Sequence, residues 1–175
     1  MRSQFRLIAA AVATLTVGVA APASAADETT GTILLSPGSL SITVPDDAGR
    51  LGARVNTGAG TISGPLGQVK VVDARNAAPG AGWVASVKST ALEPTGAGAS
   101  IPASTVSYTA GPIDKNGTAT YTANDPDGIA TAKAAVTATA ISGNNTATWN
   151  PTITVAVPAD MASGVYTVTI VHSVV

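Results

Sequence analysis

The chain offers few side chains whose type and spacing suit chemistry. Its two tryptophans, Trp83 and Trp149, carry indole faces on which sugar rings could stack. Tyr166 and His172 follow near the end of the sequence, and these four are the candidate ligand-binding residues. Trp83 shares a strand face with Val87, which favours a place in the core. Trp149 comes just before a proline at the edge of a strand, so we expect it to be the more exposed of the two.

No catalytic constellation can be assembled from these residues. His172 is the single histidine and the chain has no cysteine, which excludes a cysteine nucleophile and leaves a Ser-His-Asp triad without an evident orienter. Structural packing is the simpler role for a lone histidine on a strand. The ten acidic residues are scattered and cluster in turns, which does not favour a paired-carboxylate hydrolase. We expect no enzyme activity and no cofactor.

Two polar groupings have both a functional and a structural interpretation. Asp73 and Arg75 stand two residues apart on one face of a predicted strand, where they could clamp a ligand but more simply form an ion pair that ties the end of a hairpin. The segment Asn124–Gly128 offers oxygen ligands at short spacing for Ca²⁺. A complete Ca²⁺ loop needs further carboxylates and a bidentate glutamate downstream, so a plain turn is favoured and no metal is expected.

Residues 1–25 have the features of a secretory signal peptide. Arg2 and Arg6 precede the apolar run Leu7–Ala21, and Ala23-Ser24-Ala25 matches a cleavage site. Export with a mature start near Ala26 is therefore expected, with residues 26–175 forming one domain. No later run reaches the roughly 18 apolar residues of a membrane span.

Charge and composition limit the partners. Removal of Arg2 and Arg6 leaves seven basic residues against ten acidic ones, so the mature charge is about −3. The chain lacks a basic patch or an aromatic platform, which argues against nucleic acid as a partner. The bias toward Ala, Gly, Thr and Val is typical of proteins secreted by high-GC Gram-positive bacteria.

Alternation with period two recurs along the whole chain and predicts strands. Turn residues separate eight to ten short β-rich segments, and Ile129–Ile141, where an alanine-rich composition also permits a helix, is assigned to a strand. We predict a short strand at Thr32–Leu35, a hairpin over Gln68–Ser89, and turns at Asp114–Gly117 and Asn124–Gly128. The fold class is all-β, an antiparallel β-sandwich that is immunoglobulin-like in general architecture.

The last thirty residues predict a second hairpin, which we expect to be the central element. Ile153, Val155 and Val157 alternate with small polar residues on its first strand. The second strand, Val165–Val171, directs Tyr166, Val168 and Ile170 to one face, and Pro158 and Gly164 frame the loop between the two strands.

Three segments, in order, resemble the WxL-type surface domain of secreted Gram-positive proteins. The family's first motif is Trp-x-Leu, where this chain has Trp83 followed by Val84 and Ala85. Its second is Tyr-x-x-x-(Leu/Ile/Val)-Thr-Trp-x-Leu, which Tyr166 and Ile170 match, whereas Val171, His172 and Val174 depart from it. The segments that carry the resemblance are Val69–Arg75 with Gly82–Val87, Ile101–Tyr108, and Trp149–Pro158 with Gly164–Tyr166 and Thr169–Val174.

The resemblance implies a β fold and non-covalent attachment to the cell wall, with peptidoglycan as the ligand. We therefore expect a secreted, cell-wall-associated protein of an actinobacterial-looking variant of this family. The alternative is a structural or interaction subunit that binds other surface proteins through exposed strand edges.

Overall fold

A computed structural model describes residues 31–175, and the predicted signal peptide lies outside these residues. Residues 31–35 belong to the first of two compact units, and the fold belongs to the second, Ser36–Val175. The strand predicted at Thr32–Leu35 is wrong, since Ile33, Leu34 and Leu35 are exposed and without a strand partner. An apolar run becomes a strand only where a ladder accepts its backbone groups.

The regular secondary structure of the described chain is made of strands and one short 3₁₀ turn at Ala103–Thr105, which confirms the all-β prediction. It contains no helix long and apolar enough to cross a membrane. In chain order the strands are β1 (Leu40–Thr43), β2 (Gly60–Pro65), β3 (Val69–Ser89), β4 (Glu93–Pro94), β5 (Val106–Thr109), β6 (Ile113–Ala123), β7 (Lys133–Trp149), β8 (Thr152–Val157), β9 (Tyr166–Thr167) and β10 (Ile170–Val174).

All the strand pairs are antiparallel, and the sheets pack together as a sandwich. The larger sheet has the order β1-β3-β7-β6, with β10 pairing to the same side of β3 further along that strand. The smaller sheet has the order β2-β8-β5, and β4 and β9 form a separate pair. The immunoglobulin-like arrangement stays a prediction.

The three long strands β3, β6 and β7 are sharply bent at one level. The register of β3 on β7 shifts between Asp73 and Ala81, and Asn76 has a φ of 51° within this stretch. The Arg75 guanidinium donates a hydrogen bond to the carbonyl of Gly82 at 3.2 Å, although the two residues are seven positions apart. On a straight strand their backbones would lie about 23 Å from each other, beyond the reach of an arginine side chain, so β3 is bent between them. On β6 the bend needs Gly117, whose φ is 88° and where a Cβ would lie 2.4 Å from a carbonyl oxygen of β7.

The hairpin predicted over Gln68–Ser89 is wrong. Ala77–Gly82 has the composition of a turn, but the chain continues through it as the single strand β3. The reason is that β7 pairs with both halves of β3, so the extra residues form bulges rather than a reversal. Asp114–Gly117 is likewise not a turn but part of β6, with a register shift after Asn116.

The predicted C-terminal hairpin is also wrong. Its first strand exists as β8, but the predicted second strand, Val165–Val171, is divided into β9, which pairs with β4, and β10. Strand β8 lies between β2 and β5 in the smaller sheet, whereas β10 pairs with β3 in the larger one. The chain crosses from one sheet to the other through residues 158–169, which include β9. The strand predicted at Ile129–Ile141 is confirmed from Lys133 onward as the first half of β7.

The core lies between the sheets and follows the alternation of the strands. On β3, Val69, Val71, Trp83, Ala85 and Val87 are buried, with more exposed residues between them. Ile153 and Val155 of β8 are buried as predicted, whereas Tyr166, Val168 and Ile170 are only partly buried against this core.

We predict that Ile153→Ala lowers the free energy of unfolding by about 2–5 kcal/mol, because it leaves a cavity at a fully packed position. Ile153 is 1 % exposed. Thr169→Ala, at an exposed position, should change stability by less than about 0.5 kcal/mol. Urea denaturation of both variants and the parent measures the difference, and equal midpoints would show that β8 does not contribute to the core.

Candidate functional site

A buried polar network occupies the bend of the larger sheet. The carboxylate of Asp73 is fully buried and accepts hydrogen bonds from Arg75 Nε at 2.8 Å and from Asn145 Nδ2 at 3.1 Å. The Asn145 amide oxygen in turn accepts from Trp83 Nε1 at 3.0 Å and from the Tyr121 hydroxyl at 3.1 Å. Side chains from β3, β6 and β7 are thereby joined in one place.

The ion pair predicted between Asp73 and Arg75 is confirmed, but it does not close a hairpin. The side-chain hydrogen bond from Arg75 is the main cause that lowers the pKa of Asp73, and burial acts in the opposite direction. Both carboxylate oxygens are engaged by donors within the fold. A clamp for an external ligand would have to displace these contacts, so the geometry favours a structural role.

A second network joins the two sheets. Trp149 Nε1 donates to the Tyr108 hydroxyl at 2.7 Å, and the same oxygen lies 3.3 Å from His172 Nε2. An indole can only donate, so the tyrosine hydroxyl accepts from Trp149. Which of the Tyr108 hydroxyl and His172 Nε2 donates to the other is set by the tautomer of the imidazole. His172 Nδ1 is buried and has no hydrogen-bond partner in the described part of the chain.

Both indoles are buried, which corrects the expectation that Trp149 is exposed. Each is 2 % exposed, and neither offers a face to a ligand. Trp83 lies against Tyr121 with ring centroids 5.7 Å apart, and Trp149 is held by Tyr108 across the core. The core position favoured for Trp83 is confirmed. For Trp149 the following Pro151 is itself buried, so the chain turns inside the fold rather than at its surface.

The segment Asn124–Gly128 connects β6 to β7, and its oxygens serve the fold. Asp125 Oδ1 accepts from the amide of Ala110 at 2.8 Å, and the carbonyl of Pro126 accepts from the amide of Tyr108 at 3.0 Å. Within residues 31–175 no three His, Cys, Asp or Glu side chains are grouped to hold a metal ion. The turn interpretation agrees with these contacts.

A cleft of about 620 Å³ lies beside the core, between two segments of the chain. The segments are residues 44–54, which follow β1, and residues 161–170, which lead into β10. The Asn56 side-chain amide donates to the carbonyl of Met161 at 2.8 Å and links the two sides. The cleft brings together two of the four candidate residues, because Tyr166 and His172 both line it, and excludes the two tryptophans.

The walls of the cleft are apolar at the bottom and charged at the rim. Leu66, Val69, Val155 and other core residues form the bottom. The charged lining residues, which the sequence analysis did not select, are Asp46, Asp47, Arg50 and Arg54. A signal for them exists, since four charges within one glycine-containing loop are conspicuous in a chain that is only 11 % charged.

Comparisons of the chain with protein-family models, with curated proteins and with solved structures found no match.

We predict that Asp73→Asn removes an acid-sensitive part of the stability. The pKa of Asp73 is lowered from its ordinary value of 3.8, so its contribution is complete above that value and is lost as the pH falls through the folded pKa. Urea denaturation at pH 6 and pH 2.5 measures how much the free energy of unfolding falls between these two pH values, and this fall should be smaller in the variant than in the parent. Asp114→Asn, at an exposed position on β6, is the control and should keep the parent's loss.

We predict a second, separate pH effect from His172. Burial lowers its pKa from 6.5 to about 4, so the unfolded chain binds a proton at a higher pH than the folded one. Stability therefore falls as the pH drops from 6.5 to about 4, by up to about 3 kcal/mol. His172→Phe should flatten the dependence in this window. If stability falls with pH as steeply in His172→Phe as in the parent, the imidazole is hydrated in the folded protein and the prediction is wrong.

Proposed function

We propose that this chain is an exported, non-catalytic surface protein that associates non-covalently with the Gram-positive cell wall through peptidoglycan. The observation that carries the proposal is the cleft between residues 44–54 and 161–170, whose volume of about 620 Å³ lies in the range of ligand-binding sites. Its lining combines apolar and charged residues, as expected for a ligand with both apolar and charged groups.

The position of the family-like segments supports the same site. The stretch that resembles the second WxL motif runs from Tyr166 to Val174, and its Tyr166, Ile170 and His172 line the cleft. The stretch that resembles the first motif places Trp83 in the buried network instead. Wall binding is therefore assigned to the C-terminal segment, and the first motif is assigned to stability.

A binding role also agrees with the state of the reactive side chains. The Asp73 carboxylate is engaged by Arg75 and Asn145, and its lowered pKa keeps it ionised rather than suited to donate a proton. His172 Nε2 faces the Tyr108 hydroxyl, and Asp73 has no contact with it in the described structure. Nucleophile, base and orienter are thus not assembled in the described residues.

The test is sedimentation of the mature protein with purified sacculi. We expect the parent to pellet with the wall, and Val168→Trp, which fills the cleft, to lose at least tenfold in affinity. Val72→Trp is the matched control, because Val72 is half-buried like Val168 but lies outside the cleft. Melting temperatures exclude unfolding as the cause. A parent that stays in the supernatant contradicts the proposal.

One observation favours the alternative, a subunit of a surface assembly. Within residues 31–175 strand β6 pairs only with β7, so its eleven residues present one edge that no described strand covers. Such an edge can accept a strand from another chain. Asp114, Lys115 and the irregularity at Gly117 are the features that proteins use to discourage such pairing. Sedimentation velocity across a concentration series detects self-association, and a monomer at all concentrations disfavours pairing between copies.

A further inference from the structure

We propose that the cleft recognises the stem peptide of peptidoglycan and not its glycan strand. This inference rests on the proposed function and names the part of the polymer that enters the site. Three properties of the cleft lead to it: the kind of aromatic surface that it offers, the charges at its rim, and the apolar surface below them.

The aromatic surface does not suit a sugar. Stacking on a pyranose ring needs an open aromatic face, and the indoles of Trp83 and Trp149 are each 2 % exposed. The aromatic rings that line the cleft belong to Tyr166 and His172, which are both partly buried. The Tyr166 hydroxyl donates to the carbonyl of Ala162 at 3.0 Å, and the His172 imidazole packs edge-on against Tyr108. Neither ring is fully exposed, and that of His172 already packs against the protein.

The rim carries both signs of charge. Asp46, Asp47 and Arg50 are exposed on the 44–54 segment, and Arg54 lies beside them with its guanidinium donating to the carbonyl of Gly58 at 2.9 Å. The glycan strand offers hydroxyl and acetamido groups, which need no charged partner. The stem peptide carries free carboxylates and, at its dibasic residue, an amine. A rim with carboxylates and guanidinium groups complements that pattern.

The apolar surface below the rim suits small aliphatic side chains. Leu51, Met161, Val168 and Ile170 line the cleft and are only partly buried, so a ligand can contact them. Stem peptides are rich in alanine, whose methyl groups would cover this surface, and removing apolar groups from water favours binding. A short peptide therefore satisfies the bottom and the rim of the cleft together.

The experiment compares intact sacculi with the immobilised glycan strands that an N-acetylmuramoyl-alanine amidase releases from them, because the stem peptides hold the strands together and their removal dissolves the sacculus. We expect the mature protein to bind intact sacculi at least tenfold more tightly than the peptide-free strands. A soluble synthetic stem tetrapeptide should compete for binding, whereas soluble glycan strands should not. Because exposed charge pairs are weak, we expect the double variant D46N/R50Q to lose about threefold to tenfold and the remaining binding to depend less on salt.

The matched control is D114N/K115Q, which likewise removes one acidic and one basic charge, at exposed positions of β6 outside the cleft. It should bind intact sacculi as the parent does. Equal binding to intact sacculi and to peptide-free glycan strands, or competition by soluble glycan strands, overturns the inference while leaving wall binding in place. No binding to intact sacculi overturns the proposed function itself. Equal losses in the two double variants also overturn the inference, because the effect would then follow overall charge rather than the cleft.

Discussion

The structure depends on one buried carboxylate. Asp73 has no solvent exposure, and an ionised group in that position is tolerated only if its charge and lone pairs are satisfied by the protein. Arg75 can reach it from the same strand, and Asn145 reaches it from β7. Asn145 also accepts a hydrogen bond from Trp83. The residue of β7 that pairs with Trp83 is Ala138, seven residues before Asn145, so this hydrogen bond requires the bend. The bend and the network therefore stabilise each other.

The strand content could be predicted from the sequence because it depends on local alternation, whereas the pairing could not. Pro79 and Gly80 have the chemistry of a hairpin turn, and nothing nearby reveals that β7 will pair with both flanking halves. The same holds for β8 and β10, which are neighbours along the chain but belong to different sheets. The Asp73–Arg75 ion pair could be predicted because the two residues stand two positions apart. The hydrogen bond from Asn145 to Asp73 could not, because these residues are 72 positions apart along the chain.

The site was predictable to the same limited extent. Tyr166 and His172 were selected by their residue types, and the fold places both at the cleft. Trp149 was misplaced because a proline two residues later indicates a chain reversal but not whether the reversal is exposed, and here Pro151 is buried. The rim was missed because its charges lie in a segment without periodicity, where only the fold decides what the side chains line.

The Tyr108 hydroxyl connects the stability of the core to the shape of the cleft. It accepts from Trp149 of β7 and faces His172 of β10, so three strands in two sheets meet at one oxygen atom. Burial raises the pKa of Tyr108 and lowers that of His172 to about 4, so both groups are neutral at physiological pH. Protonation of His172 would place a charge in a buried position without a charged partner. Strand β10 is held by its pairing with β3, and the neutral His172 adds its contact with the Tyr108 hydroxyl. Because the cleft's 161–170 segment reaches β10, both contacts position one side of the cleft.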